Sequence, residues 1–391
     1  MLTKAKPSLW LTSLLAVAAP WATYLQLAPY LTVVTMLVMV QVLAIALLFG
    51  AGAKRGAPRF VWLLLLYFCV VMASVIWTLN VEAWANYAFW WIVCLITAFA
   101  SARFLTDARR IRAVVIASAI GAVISALLLE VNPDPKLFEQ GRFIVHGHNA
   151  NFTAYVLAGG FYLSALYVSS YRTTRVMRLI LLASCVLIAV VISLLGTRGA
   201  LLSVGLVSAF FVFSRLTTHR LRLVFVYLSL IIAVGFSFGA MAPILILVDS
   251  LSGRSTGDLS GRLVLWTEAI GYLLTSPILG IGPGSFAQIS TLQIGVHNLF
   301  LTILLDTGAI GGIVFVALAF SFAKALMAKD NVAGSKVLLF FLCYWLPIVT
   351  SGHWELSPFS WLVVGTTYSV AQALGRDRVD LSRFGAAPLI T

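Results

Sequence analysis

Two arginines and one histidine stand where they could bind a phosphorylated substrate and take up a proton. Arg198 lies in the tight turn 196–199 between two apolar runs, and Arg262 opens an amphipathic stretch. A guanidinium can hold a phosphate group through two parallel hydrogen bonds. His297 comes just before another apolar run, and an imidazole titrates close to ambient pH, as a general base must. The three residues predict a site that binds an anion and deprotonates a hydroxyl group.

Spacing alone leaves a simpler interpretation open for each residue. Arg198 could mark the membrane interface, with its charge among the lipid headgroups. Arg262 could pair with Glu268 or Asp258, and His297 could be a surface residue. We favour anion binding for Arg198 because a turn that short is ordinarily neutral. In the first turn of a helix, the positive charge of Arg262 would be repelled by the positive end of the helix dipole. A bound anion would offset this repulsion.

Further residues that could contact the substrate lie in the same outer segments of the chain. They are Arg142, Asn151, Arg254, Gly282, Gly284 and Asn298. The two glycines belong to the run 280–284, where three glycines in five residues let a ligand approach backbone N–H groups. His146 and His148 could bind a metal on a strand, but no outer cysteine or carboxylate cluster completes such a site. We therefore predict no metal site and no cofactor.

The elements that must position these residues are membrane-spanning helices. Of the 391 residues, 61% are hydrophobic and 10% are charged, against about half and about a quarter in a soluble protein. This composition excludes a disordered protein, a nucleic-acid-binding domain and an ordinary cytosolic enzyme. It indicates an all-α polytopic membrane protein. We predict twelve transmembrane helices, at residues 8–27, 29–50, 60–79, 86–104, 112–130, 150–170, 179–196, 199–214, 223–242, 298–322, 335–351 and 358–374.

The basic residues predict the orientation of these spans. Assigning the loops alternately to two sides puts 21 of the 26 basic residues on one side, which the positive-inside rule identifies as the cytoplasm. Both termini are then cytoplasmic. The same bias accounts for the net charge of +13, so the lipid bilayer is an expected partner and nucleic acid is not. The basic residues on the outer side are Lys136, Arg142, Arg198, Arg254 and Arg262.

The chain, residues 1–391, is interpreted as a single integral membrane domain with one long outer loop. Residues 243–296 form this loop, between the ninth and tenth predicted spans. Apolar residues recur within it at helical spacing from 262 to 275. That spacing predicts an amphipathic helix that lies on the bilayer surface or caps the bundle.

Three segments of this loop and of the following helix form a motif with fixed spacing. The first is Gly261–Trp266, and the second is the run 276–286, Ser-Pro-Ile-Leu-Gly-Ile-Gly-Pro-Gly-Ser-Phe. The third is His297-Asn298, followed by nine residues, Gly308, two residues and Gly311. With the turn 196–199 and the asparagine-containing start of the span at 150, this region resembles the O-antigen ligase/polymerase superfamily over residues 140–312.

The resemblance implies a membrane glycosyltransferase of GT-C architecture that acts in lipopolysaccharide biosynthesis. An O-antigen ligase transfers O-antigen polysaccharide from undecaprenyl pyrophosphate to a sugar hydroxyl of lipid A–core, at the periplasmic face of a Gram-negative inner membrane. In this sequence Arg198 and Arg262 would bind the pyrophosphate, and His297 would deprotonate the acceptor hydroxyl. A single base without a carboxylate nucleophile indicates one displacement with inversion, and arginines in place of a carboxylate cluster indicate that no metal is required.

Two other functions stay open at this point. An O-antigen polymerase, or a related lipid-linked oligosaccharide transferase, would use the same donor with a sugar chain as acceptor. A membrane transporter would need polar residues along a path through the membrane centre, and often has paired repeats with broken helices. Here Asp306 is nearly alone at depth and the polar groups gather on one face of the predicted bundle. This distribution favours the ligase over the transporter.

Overall fold

A computed structural model describes most of the chain from residue 57 onward. The residues described are 26–28, 31–32, 57–131, 150–171, 173–216, 262–327, 331–352 and 355–383. The predicted span 223–242, most of the predicted spans 8–27 and 29–50, and the candidate residues Arg142 and Arg254 lie outside them. At the junction of the first two predicted spans, Gln26–Ala28 (β1) pairs antiparallel with Leu31–Thr32 (β2). The helix predictions are wrong for residues 26, 27, 31 and 32, because a run of apolar residues favours burial but does not by itself distinguish a helix from a strand.

The rest of the described chain is helical. Its helices are α1 (Arg59–Ala73), α2 (Val81–Phe104), α3 (Ala108–Val131), α4 (Ala150–Ser170), α5 (Arg175–Leu195), α6 (Arg198–Leu216), α7 (Arg262–Thr275), α8 (Ser285–Ile289), α9 (Leu299–Met327), α10 (Asn331–Val349) and α11 (Pro358–Arg383). A 3₁₀ turn, Ser74–Ile76, extends α1. Each long helix coincides with a predicted span, with ends that differ by a few residues, except that α11 continues past 374. The helix α7 has the bounds that the amphipathic pattern predicts.

Within the described residues, seven helical segments are long and apolar enough to cross a membrane: α1 with its 3₁₀ turn, α2, α3, α4, α5, α9 and α10. The apolar side chains of Ile313, Val316 and Phe320 on α9 are about 70% exposed, and their helical spacing forms an outward stripe suited to lipid. The helix α11 is less apolar, and it is almost completely buried from Pro358 to Ala373. A span surrounded by protein does not need an apolar surface all round. The protein is a multi-pass membrane protein.

The helix α4 is the centre of the bundle. In its span Asn151–Ser170, 89% of the residues are buried, and it packs against α3, α5, α6 and α11. On α4, Tyr162 stacks on Tyr344 of α10 with ring centroids 4.8 Å apart. This packing fixes the start of α4 relative to the ends of its neighbours, where the candidate arginines lie.

A second apolar cluster joins the outer segments to the bundle. Its buried members come from α7, from the glycine-rich run, from α8, from the segment before α9 and from α9 itself: Leu265, Ala269, Ile281, Phe286, Val296 and Leu305. Together these side chains hold α7 and the run 276–284 against α9. The outer segment that carries Arg262 is therefore packed as part of the protein.

The helix α9 is broken at Gly308, although the sequence predicts one continuous span over 298–322. Gly308 has φ 61° and ψ −161°, a conformation open to glycine because it has no Cβ. A Cβ at this position would also run into the backbone of Ile278. The prediction of an uninterrupted helix is therefore wrong at this point.

The backbone groups exposed by the break are bonded to the run 276–284. The carbonyl of Leu305 accepts from the N–H of Ile281 at 2.7 Å, and the carbonyl of Asp306 accepts from the N–H of Gly282 at 3.2 Å. In return, the N–H of Ala309 donates to the carbonyl of Pro277 at 2.9 Å. Backbone polar groups at membrane depth need partners, and this exchange supplies them. It also locks the loop to the helix.

Candidate functional site

Arg198 is positioned by the tight turn between α5 and α6. The helix α5 ends at Gly196, which has the left-handed conformation (φ 60°) of a helix C-cap, and α6 begins at Arg198 itself. Between them, Thr197 is buried, and its hydroxyl donates to the side-chain oxygen of Asn151 at 3.2 Å. The candidate residue Asn151 thus ties this turn to the first turn of α4.

The start of α6 also touches the end of α10. The turn after α10 contains Ser351, and a Cβ at Gly199 would overlap the side chain of Ser351 and stand 2.8 Å from the carbonyl oxygen of Pro347. Glycine is required here because the two backbones approach closely. Arg198 is therefore held next to the C-terminal end of α10.

Arg262 reaches the same end of α10 through a hydrogen bond. Its Nη2 donates to the carbonyl oxygen of Ser351 at 3.1 Å. The hydroxyl of Tyr155 donates to that same carbonyl at 2.8 Å and lies 3.1 Å from the Ser351 hydroxyl. One backbone carbonyl therefore orients both the guanidinium of Arg262 and the phenol of Tyr155. We refer to Arg198, Arg262, Tyr155 and Ser351 as the arginine cluster.

The electrostatics of the arginine cluster favour an anion. Burial lowers the pKa of the Arg262 guanidinium; the nearby hydroxyl of Tyr155 raises it, and the positive charge of Arg198 lowers it. The two guanidiniums are therefore close enough to repel each other. The C-terminal end of α10 carries partial negative charge, which offsets part of that repulsion. A bound pyrophosphate would offset more of it, whereas a divalent cation would be repelled.

His297 lies before the start of α9 in a left-handed conformation, with φ 54°. Asn298 caps the helix: its side-chain oxygen accepts from the N–H of Leu301 at 3.2 Å, and its carbonyl accepts from the hydroxyl of Thr302 at 2.8 Å. Left-handed backbone is uncommon outside glycine, and histidine is among the residues enriched there. The cap gives Asn298 a structural role at the start of α9, directly after the histidine.

A tryptophan links His297 to the helix that carries Arg262. Trp266 lies one helical turn after Arg262 on α7, and residues four apart lie on the same helix face. Its indole N–H donates to the carbonyl of Val296 at 3.0 Å. The residue before His297 is thus attached to the Arg262 face of α7. His297 is half-buried.

The two candidate glycines hold the loop in place. Besides its bond to the carbonyl of Asp306, Gly282 lies so close to Thr78 that a Cβ would overlap it, and a Cβ on Gly284 would lie 2.8 Å from the ring of Tyr87. The N–H of Gly282 is engaged with the carbonyl of Asp306, so a substrate phosphate would have to exchange with that bond. That the glycines contact substrate stays a prediction.

Sequence reasoning did not find Tyr155 and Ser351. Tyr155 is one turn beyond Asn151 on α4, so a polar stripe at the start of this span was the available signal. Ser351 acts through its backbone carbonyl, which has no signature in side-chain chemistry. The structure thus brings together Arg198, Arg262 and Asn151 of the predicted site, and connects His297 to them through Trp266.

Comparison with known proteins identifies a family for this region. No curated protein matches the chain. Residues 183–316 match the family model described as O-Antigen ligase. The matched segment contains Arg198, Arg262 and His297, and it runs from the middle of α5 into α9, past the break at Gly308. The resemblance seen in the sequence is confirmed over residues 183–316, and this match supports the O-antigen ligase superfamily.

Proposed function

We propose that the protein is an O-antigen ligase, which transfers O-antigen polysaccharide from undecaprenyl pyrophosphate to a sugar hydroxyl of lipid A–core. The observation that carries the proposal is the arginine cluster, in which Arg262 and Tyr155 share the carbonyl of Ser351 and Arg198 lies within electrostatic range of Arg262. A lipid-linked donor places its pyrophosphate at the level of the headgroups. The proposed location is the inner membrane of a Gram-negative bacterium, with both termini cytoplasmic and this cluster on the periplasmic face.

In the proposed reaction the arginines stabilise the leaving group. Arg198 and Arg262 bind the pyrophosphate, whose terminal oxygen gains negative charge as its bond to the anomeric carbon breaks. His297 takes the proton from the acceptor hydroxyl, whose oxygen then forms the new bond to the anomeric carbon. One displacement inverts the configuration at that carbon. Because the guanidiniums supply the positive charge, the reaction needs no metal ion.

The broken helix α9 does not by itself indicate transport. Transporters also use broken membrane helices, whose exposed backbone groups coordinate an ion. Here the carbonyls of Leu305 and Asp306 are bonded to the run 276–284. The break therefore serves to hold the run 276–284 against α9. Glycosyl transfer accounts for the arginine cluster better than transport does.

The test of the function is an assay with purified protein, undecaprenyl-linked polysaccharide and lipid A–core, with a chelator present. The expected product is polysaccharide attached to lipid A–core. Lengthening of the donor polysaccharide without attachment to the core would identify a polymerase instead. Loss of all transfer on chelation, with recovery on adding a divalent metal, would contradict the metal-independent mechanism.

Variants test the assigned roles in the same assay. His297→Ala is expected to abolish transfer while the protein still inserts and purifies, and His219→Ala, in a predicted cytoplasmic loop, is the matched control. Arg198→Ala and Arg262→Ala are expected to weaken donor binding more than Arg254→Ala does. Transfer retained by His297→Ala would exclude this residue as the base. Equal effects of the three arginine variants would indicate general surface charge.

A further inference from the structure

A cavity lined in part by basic residues lies between α1 and α9. Its volume is about 330 Å³. Its wall is largely apolar and includes Leu63, Ala317 and Phe320, and its polar lining groups are Arg59, Ser321 and Lys324. Phe320 is 70% exposed, so the apolar wall continues into the surface of α9 that faces lipid.

The two cations of this cavity stand at the same end of the helix pair. Arg59 is the first residue of α1, and Lys324 lies in the last turn of α9. Their neighbours Phe60 and Phe322 pack edge to face, with ring centroids 5.3 Å apart. Both cations are exposed. Between described residues, one ion pair forms, Arg110 with Asp107, so neither Arg59 nor Lys324 is neutralised by a described carboxylate.

The cavity is remote from the arginine cluster. Lys324 lies 27 residues after His297 along α9, which corresponds to about 40 Å at 1.5 Å per residue, although the break at Gly308 shortens this somewhat. That distance exceeds the hydrocarbon thickness of about 30 Å, so the two ends of α9 reach opposite headgroup layers. On the predicted topology the cavity lies on the cytoplasmic side.

We propose that this cavity binds an anionic phospholipid of the cytoplasmic leaflet, with its phosphate between Arg59 and Lys324 and its acyl chains along Leu63 and Phe320. Basic pockets between transmembrane helices on this side of a membrane suit such headgroups. The hydroxyl of Ser321 can donate to a phosphate oxygen. The proposal concerns a different end of the molecule from the transfer site and does not rest on the proposed reaction.

Native mass spectrometry of the purified full chain tests this proposal. The protein is titrated with phosphatidylglycerol in detergent, and phosphatidylcholine is titrated in parallel. The variant Arg59→Gln/Lys324→Gln is expected to weaken phosphatidylglycerol binding by about fivefold for each cation removed, or about 25-fold together. Its weak binding of phosphatidylcholine should not change, because that headgroup carries no net charge.

A matched control separates the cavity from general surface charge. Arg175→Gln/Arg178→Gln removes the same charge from exposed residues at the start of α5, on the same predicted side. This variant should bind phosphatidylglycerol like the wild type. Equal losses in the two variants would overturn the proposal. Competition by inorganic phosphate alone, as strong as that of the lipid, would overturn it too, because it would show an ion site without a role for the apolar wall.

Discussion

Replacing Tyr155 with phenylalanine removes one hydroxyl group from the arginine cluster and leaves the aromatic ring. That hydroxyl donates to the carbonyl of Ser351, which also accepts from Arg262. After the substitution, Arg262 is the remaining side-chain donor to this carbonyl among the described residues. The carbonyl that orients the guanidinium then has one constraint fewer on its position. We expect weaker binding of the donor pyrophosphate, because Arg262 must be ordered when the substrate binds.

The size of the effect follows from the bonds that change. A neutral hydrogen bond contributes about 1 kcal/mol, which corresponds to about a fivefold change in an equilibrium constant. The Ser351 hydroxyl keeps the carbonyl of Pro347 as acceptor at 2.7 Å, so the substitution leaves no buried donor unbonded there. We therefore expect Tyr155→Phe to raise KM for the donor about fivefold and to leave kcat nearly unchanged.

A double-mutant cycle is the assay that isolates the interaction. Transfer kinetics are measured for wild type, Tyr155→Phe, Arg262→Ala and the double variant, with the donor concentration varied. If Tyr155 acts by positioning Arg262, the substitution has little further effect once the guanidinium is gone, and the coupling free energy equals most of the single effect. Tyr162→Phe is the control, because its hydroxyl bonds Thr367 within the bundle.

Three results would refute this reasoning. The first is a fivefold loss from Tyr155→Phe that persists unchanged in the Arg262→Ala background, which would show that the hydroxyl acts independently of the arginine. The second is a fall in kcat with unchanged KM, which would place Tyr155 in the chemical step. A loss of thermal stability as large as that of Tyr162→Phe, with unaltered kinetics, would make its role structural.

Three further substitutions test the elements around the site. Gly199→Ala should lower the free energy of unfolding by about 1–3 kcal/mol through overpacking, and it should weaken donor binding. Gly205→Ala on the same helix is the control, because a Cβ there meets no atom within 4 Å. In thermal unfolding this control should be neutral or stabilising. Asn298→Ala should cost about 1 kcal/mol by removing the α9 cap and should slow transfer, and Asn298→Asp should restore both. Gly308→Ala should destabilise the protein more than Gly271→Ala, because φ 61° and the backbone of Ile278 both disfavour a Cβ at 308. Equal melting temperatures of the two variants would refute the account of the break in α9.

The sequence was sufficient for most of the helices because apolar runs of membrane length are a strong local signal. The sequence also singled out Arg198, Arg262 and His297 as candidates, because polar residues at these positions stand out against an apolar chain, and their roles stay predictions. The break at Gly308 could not be predicted in the same way, because its partners come from the run 276–284, which is distant in sequence. Nor could the role of Ser351, since every residue has a backbone carbonyl.

The strand pair β1–β2 shows where an apolar sequence predicts the wrong secondary structure. Apolar composition favoured two helices over residues 8–50, whereas Gln26–Ala28 and Leu31–Thr32 are extended and paired. Proline at 29 was visible in the sequence as a break between spans. Hydrophobic length says how much chain can cross a membrane, but it does not say how the chain turns between crossings.

The position of Ser351 in the chain sets the order in which the arginine cluster is assembled. This residue follows Arg262 by 89 positions and Tyr155 by 196, and a chain is synthesised from its N-terminus. While the ribosome is still making α10, both arginines already exist, but the carbonyl that orients Arg262 does not. If the proposed function holds, we expect a chain that has not yet reached α10 to bind the lipid-linked donor more weakly than one in which this carbonyl is in place.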